Sequence, residues 1–306
     1  MNSVQPLLPL RVNIGGQLDD LEIIGRDHVV TMMLDYLDRG MNLTINDPRR
    51  IGKSAVLQLL ESASTKNVTI VKTSVQKIHS LDHFLMHLLS VLHEHQSVGK
   101  RVRKKIGDFV ETTGVGIELG GIEYSIGLKR RHSHKNALAL IDELVAAIHD
   151  SLGTNELLVL ALDEFTEAVI NIASQPKVGR TEATQLLQVL QTLRKDQARV
   201  RWILTGSIGM HHAIRTTDCT SVVVSGDCKN IPVGPLSVEH AEHLSRCLAQ
   251  GEKIELTADA HAHLAVSING IPILIHAVID DLRNLPQQKV FVPADVEAAI
   301  ERYIAD

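Results

Sequence analysis

Residues 47–54, Asp47-Pro48-Arg49-Arg50-Ile51-Gly52-Lys53-Ser54, have the types and spacing that phosphate chemistry asks for. They follow a strand-like run, Met41-Asn42-Leu43-Thr44-Ile45, and precede an apolar-periodic stretch, Ala55-Val56-Leu57-Gln58-Leu59-Leu60. That strand-loop-helix context gives a G-x-x-x-x-G-K-[ST] pattern its physical meaning. A loop curling over a helix start aims successive backbone N–H groups at phosphate oxygens, and the positive end of the helix dipole adds to the attraction. Lys53 then pairs with the β- and γ-phosphates, the Ser54 hydroxyl ligates Mg²⁺, and Pro48 through Ala55 form the cradle. The first position of the pattern is Asp47 instead of glycine. Aspartate tolerates the turn, but its charge opposes phosphate if the side chain points inward.

A second constellation lies about a hundred residues on. Glu156-Leu-Leu-Val-Leu-Ala-Leu162 is a continuous apolar run of strand length that ends in Asp163-Glu164. Such runs suit parallel strands buried on both faces, so the two carboxylates are expected at the carboxyl edge of a sheet, where ligands of open α/β sheets bind. Asp163 is expected to hold magnesium through water, and Glu164 to orient and deprotonate an attacking water. The plainer alternative for Glu164 is a cap on the following helix.

The elements that must position these residues alternate. Asn67 to Thr73 reads as a β-branched strand, Leu81 to His95 as an amphipathic helix, Asn136 to Leu152 and Thr181 to Asp196 as further helices, and Val200 to Thr205 as another buried strand. Alternation of this kind predicts an α/β fold, a parallel sheet with helices on both faces. From Ser237 the pattern turns helical: Val238 to Gln250, Thr257 to Ile268, Pro272 to Leu285 and Pro293 to Ala305. Asn269-Gly270-Ile271-Pro272 marks a stop followed by a start. The expected division is a nucleotide-binding core over 1–236 and a small helical lid over 237–306.

Residues 99–135 interrupt the alternation. Val115 to Leu128 alternate apolar residues on either side of Gly120-Gly121, a hairpin signal, and Lys100–Lys105 and Lys129–Arg131 flank it with positive charge. Such an insertion either meets DNA or another partner, or is a solvated surface kept soluble by its charges. Only Phe109 and Tyr124 are at hand for base stacking, which favours the solvated surface.

Composition sets the remaining bounds. A chain of 306 residues with 44% hydrophobic content can bury a sizeable core, and a net charge of -5 carries no global nucleic-acid signature. No apolar stretch reaches membrane-span length and the start lacks a secretion signal, so a cytoplasmic protein without membrane association is expected. Cys219, Cys228 and Cys247 suit free thiols better than a disulfide framework. The histidines, including His211-His212, His240 and His243, lack metal-site spacing and read as solvated helix faces.

Taken together, several short stretches resemble the archaeal-type P-loop ATPases, which belong to the STAND branch close to the AAA+ proteins. These are Ile23-Ile24-Gly25-Arg26-Asp27 ahead of a helix, Pro48 to Ser54, Leu162-Asp163-Glu164-Phe165, Leu204-Thr205-Gly206-Ser207, and Gly270-Ile271-Pro272. The likeness spans most of residues 20–300 and includes a glycine-rich insertion. It implies ATP and Mg²⁺ as cofactors, Gly25 and Arg26 near the adenine, Thr205 or Ser207 as a sensor of the γ-phosphate, and Gly270 and Pro272 in the lid over the nucleotide. It also implies a winged-helix domain, expected to be missing or outside this chain. The lid segment carries no second-sensor arginine and none follows Gly206-Ser207. Arg194, Arg199 and Arg215 are therefore the candidates for an arginine finger, acting in a homo-oligomer or with a protein partner.

The expected function is an ATP-binding, Mg²⁺-dependent ATPase working as a nucleotide-driven switch in an assembly. Lys53, Glu164 and Thr205 are its catalytic residues, and hydrolysis is slow without a partner. The alternatives are a nucleotide-binding scaffold with little turnover and a DNA-associated ATPase.

Overall fold

The computed structural model describes residues 7–113, 136–207, 209–216, 226–285 and 290–305. In chain order the elements begin with α1 (Asp27–Asp38), β1 (Asn42–Ile45), α2 (Lys53–Ser62), β2 (Val68–Ser74), α3 (Leu81–Glu94), α4 (Lys100–Thr113) and α5 (Ala137–Ser151). They continue through β3 (Leu157–Asp163), α6 (Phe165–Ala173), α7 (Gly179–Asp196), β4 (Val200–Thr205), α8 (Met210–Thr216) and β5 (Cys228–Asn230). Last come α9 (Val238–Glu252), α10 (Ala258–Ser267), α11 (Pro272–Arg283) and α12 (Pro293–Ala305). The chain forms two compact units, Val30–Pro48 with Leu57–Pro232, and Met1–Val29 with Arg49–Val56 and Val233–Asp306.

The larger unit is built on a five-stranded parallel sheet in the order β2-β3-β4-β1-β5. From β1 the chain crosses past the positions of β4 and β3 to begin β2 at the far edge, walks back through β3 and β4, and finishes with β5 on the other side of β1. The apolar runs explain the central strands. Leu158 to Leu162 and Trp202 to Leu204 are buried, as strands covered by helices on both faces require. The main core joins them to Phe84, Leu88, Ile141, Leu144, Phe165, Leu186 and Leu190 from α3, α5, α6 and α7.

Residues 100–113 are a helix whose Val102, Ile106, Phe109 and Thr113 are buried at helical spacing. The segment read from sequence as the leading part of an insertion is thus a core-packed element. The hairpin expected at 115–128 and the cluster Lys129–Arg131 lie outside the described residues.

The smaller unit packs α9, α10, α11 and α12 around Leu244, Leu248, Leu264, Ile275, Ile279 and Val296. Ser237 and Thr257 cap α9 and α10 by accepting from the N–H groups of His240 and Ala260, and Pro272 sits in the first turn of α11. Leu10 and Ile24 complete this core, and the Leu10 N–H donates to the Cys247 carbonyl. The helical part therefore includes the amino-terminal segment and 49–56, which the division at 236/237 did not foresee. No helix among the described residues is long and apolar enough to cross a membrane.

Candidate functional site

Parallel pairing brings the ends of β3, β4 and β1 to one sheet edge. Leu162 is in register with Leu204, and Ile45 with Thr205. At that edge Asp163, only 5% exposed, is fixed by short polar contacts. The Thr205 hydroxyl donates to Asp163 Oδ1 at 2.6 Å, and the Glu164 N–H reaches Asp163 Oδ1 and Thr205 Oγ1, each at 3.1 Å. A buried carboxylate needs such donors, because a buried polar group without hydrogen-bond partners is costly. Thr205, expected from the sequence to face the γ-phosphate, donates its hydroxyl to Asp163 in this structure.

Glu164 stands at the start of α6 in the left-handed region, with φ 55° and ψ 38°. A non-glycine residue there costs on the order of 1–2 kcal/mol. Its side chain makes no capping bond to α6, which removes the simplest alternative role. Instead both carboxylate oxygens accept from Ser207 Oγ at 2.7 Å, and the Ser207 N–H approaches Oε2 at 3.3 Å. Gly206 makes this possible. Its N–H donates to the Ile45 carbonyl at 3.1 Å, and a Cβ on it would lie 2.2 Å from Thr166 Oγ1.

The phosphate-loop residues from Arg49 onward belong to the smaller unit, with Gly25, Arg26 and Pro272. Arg26 is 2% exposed and bridges two backbone carbonyls: Nη2 donates to Ile51 at 2.8 Å and Nη1 to Val233 at 3.0 Å. It thus braces the loop before Lys53. Gly25 has φ +70°, and a Cβ there would meet His240 Cγ at 2.6 Å, so the turn into Arg26 needs glycine. The loop bends through Arg50 (φ 70°) and Gly52 (φ 101°), after which the Val56 N–H closes the first helical bond on the Gly52 carbonyl. Lys53 is buried, while Ser54, Pro48, Arg49 and Arg50 are exposed and Asp47, Ile51 and Ala55 range from half-buried to buried. The Arg50 guanidinium donates to the Tyr303 hydroxyl at 3.3 Å. Gly270 accepts from the Leu236 N–H, anchoring the turn that precedes Pro272.

Of the three finger candidates, two are otherwise engaged. The Arg194 side chain is fully buried and grips Asp227 with two bonds, Nε to Oδ2 at 2.7 Å and Nη2 to Oδ1 at 3.1 Å. Withdrawing it would break both bonds to Asp227, so Arg194 has a structural task in this unit. Arg199 precedes β4, at the sheet edge opposite Asp163, and donates to the Leu152 carbonyl at 2.5 Å and to His149 Nε2 at 3.3 Å. Arg215, in the last turn of α8, is exposed.

A magnesium ion is a hard cation that takes oxygen ligands and keeps several waters. The exposed Ser54 hydroxyl and the Asp163 carboxylate supply oxygen donors of that kind, so the residues present fit the group. Among the described residues no three His, Cys, Asp or Glu side chains converge to hold any other metal. Of the histidines singled out from the sequence, His240 pairs with Ser237 and His243 with Cys247.

Sequence reasoning left two features unassigned: Ser207 as the residue that grips Glu164, and Arg26 as a brace of the loop. The first follows from the β4 end lying beside the β3 end. The second had a signal in a lone arginine after a turn glycine, but its carbonyl partners are distant in sequence.

No protein-family model matches the chain, and no curated protein matches it. Solved structures do. The Walker-type ATPase PABY2304 of Pyrococcus abyssi is similar with a TM-score of 0.55 at 14% identity, over 92% of this chain and 72% of that one. The ORC2 protein of Aeropyrum pernix, in ADPNP and ADP complexes, has a TM-score of 0.49 at 14% identity, over 90% and 66%. The RuvB Holliday junction branch migration motor of Thermotoga maritima has a TM-score of 0.46 at 13% identity, over 92% and 71%. The first of these likenesses, with the parallel sheet and the strand-loop-helix at β1, shows that the chain has the fold of a P-loop NTPase.

Proposed function

We propose that the protein is an ATP-binding, Mg²⁺-dependent ATPase that uses nucleotide state as a conformational switch within an assembly, akin to the archaeal-type STAND ATPases. The observation that carries this reading is the Asp163-Glu164 pair at the carboxyl end of a buried strand. Asp163 is locked by Thr205, and Glu164 is held in a strained conformation that serves no capping purpose. β1 ends at this same sheet edge, and the chain then continues into the Gly52-Lys53-Ser54 helix start.

In this account Lys53 and the backbone of 48–55 bind the phosphates, and Ser54 and Asp163 hold magnesium. The ion supplies charge neutralisation on the phosphate oxygens when bound. Gly25 and Arg26 border the base, Pro272 belongs to the cover over the nucleotide, and Thr205 reports the γ-phosphate through its bond to Asp163. Glu164 accepts a proton from the attacking water, and Ser207 sets the direction of its carboxylate beforehand. Turnover is slow without a partner, since an arginine finger is worth about 10³–10⁵ in rate and only Arg215 of the three candidates is exposed to provide one. Its target would be a neighbouring copy or a protein partner, in keeping with a homo-oligomer or mixed assembly working in the cytoplasm.

Glu164→Gln tests the reading against a scaffold that merely binds nucleotide. Loss of a general base lowers hydrolysis by about 10²–10⁴ while ATP binding persists. Turnover unchanged in this variant would remove Glu164 from the chemistry.

A further inference from the structure

Helix α4 is charged against its own polarity. Its first six residues include Lys100, Arg101, Arg103, Lys104 and Lys105, while its carboxylates, Asp108 and Glu111, come later. A helix start is the positive end of the dipole, so the cations sit at the terminus that disfavours them and no acid in the first turn offsets them. Burial of Val102, Ile106, Phe109 and Thr113 holds the helix in place and sets no demand for this arrangement on the opposite face.

The five cations divide by what they touch. Arg103 donates to the His95 and Gln96 carbonyls at 2.7 and 3.0 Å, a structural task. Arg101 reaches the Ser151 carbonyl at 3.2 Å and Glu156 Oε2 at 3.4 Å. Lys100, Lys104 and Lys105 are exposed, and no carboxylate among the described residues pairs with them. A concavity of about 460 Å³ opens where α4 begins, lined by Lys66, Thr69, Ser97, Lys100, Arg101 and Glu156. Three cations face one carboxylate there. Val68 and Leu157 begin β2 and β3 at this place, so it lies at the amino-terminal sheet edge, away from Asp163 by the length of β3, about 20 Å.

We propose that this face binds the phosphate backbone of double-stranded nucleic acid. Charge complementarity selects a phosphate-bearing partner, and Lys104 and Lys105 carry the positive row a turn beyond the concavity, which suits a polyanion better than a single phosphate group. The one aromatic of α4, Phe109, is buried, so the face has no platform for unstacked bases. Binding is therefore to the backbone, strongly salt-dependent and indifferent to sequence. This proposal is independent of the nucleotide chemistry proposed above, since Asp163 ends β3 at the opposite edge of the sheet.

The experiment is fluorescence anisotropy of the full chain with a labelled duplex DNA, titrated between about 50 and 200 mM salt. The variants are a Lys100→Gln, Lys104→Gln, Lys105→Gln triple and a separate Lys66→Gln, with Lys53→Ala as control. The expected result is a steep loss of affinity with salt in the unmodified protein. In the triple variant the slope of log Kobs against log salt flattens by about 2–3, near 0.9 per phosphate contact removed, and Lys66→Gln flattens it by about one. The triple variant should melt at the same or a higher temperature, because cations have been removed from a helix start. Lys53→Ala should bind like the unmodified protein. Absence of salt-dependent binding, an unchanged slope in the triple variant, or loss of binding in Lys53→Ala would each overturn the proposal.

Discussion

Thr205, Gly206 and Ser207 show how three consecutive residues serve two carboxylates at the end of another strand, Asp163 on β3 and Glu164 just after it. Thr205 donates to Asp163, Ser207 donates to Glu164, and Gly206 between them packs against Thr166 with no room for a side chain. Gly206→Ala is expected to push the β4 end away from α6 and to cost about 1–3 kcal/mol, the usual range for overpacking a tight contact. Urea unfolding measures the loss, and an unchanged midpoint would show that the Thr166 side chain yields freely. The placement of Asp163 and Glu164 at the end of a buried strand was legible because an apolar run ended in two acids. The grip of Ser207 on Glu164 was not, because it depends on which strand lies beside β3, and strand order is not written in local periodicity. The same limit applied to Arg194, whose partner Asp227 is 33 residues away.

Strands and helices with strong periodicity were legible close to their ends. β1, β3, β4, α3, α5 and the four helices from α9 to α12 fall within a few residues of where hydrophobic pattern and caps place them. β5 was missed for a physical reason: Cys228-Lys229-Asn230 is a short, polar edge strand covered on one side only, so it has no apolar run to announce it. α4 was masked by its charges, although Val102, Ile106 and Phe109 already had helical spacing. The phosphate-loop helix start also depends on a brace that no local pattern reveals. Arg26→Ala removes two charged-donor bonds and leaves the Ile51 and Val233 carbonyls without them, which is expected to cost about 2–4 kcal/mol. Nucleotide affinity should fall with it, since the loop before Lys53 loses its support. Thermal unfolding and nucleotide titration of this variant read the two effects separately, and intact values in both would show that Arg26 is not a brace.

The division of the whole molecule into two units was only half legible. The helical character of residues 238–305 was plain, but the recruitment of Leu10, Ile24 and 49–56 to that unit is a long-range packing outcome. This unit also sets an acid limit on stability. Burial pushes the His276 imidazole down to about 4, where its Nδ1 accepts from the Asn13 N–H. Burial, with the nearby Arg246 charge, does the same to His261, which pairs with Ser245. Both are neutral in the folded protein but bind protons when unfolded below about 6.5, so their contribution is complete above that pH and is lost as pH falls toward 4. The loss is up to about 3 kcal/mol for each. Burial opposes ionisation of Glu252, but the Val12 N–H, Arg283 and Arg11 outweigh it and hold its carboxyl below the usual range, which extends the acid sensitivity further down. Denaturant unfolding across pH 7 to 4 should show this decline, and His261→Gln with His276→Gln should flatten it; an equally steep decline in the double variant would assign it to other groups.

The central claim is that the Gly52-Lys53-Ser54 helix start binds ATP despite Asp47. Calorimetric titration of the full chain with a slowly hydrolysed ATP analogue and Mg²⁺, beside Lys53→Ala, tests it most directly. Saturable binding that disappears in Lys53→Ala is the predicted result. Absence of binding heat and of any thermal stabilisation by the analogue, or binding that survives in Lys53→Ala, would contradict it.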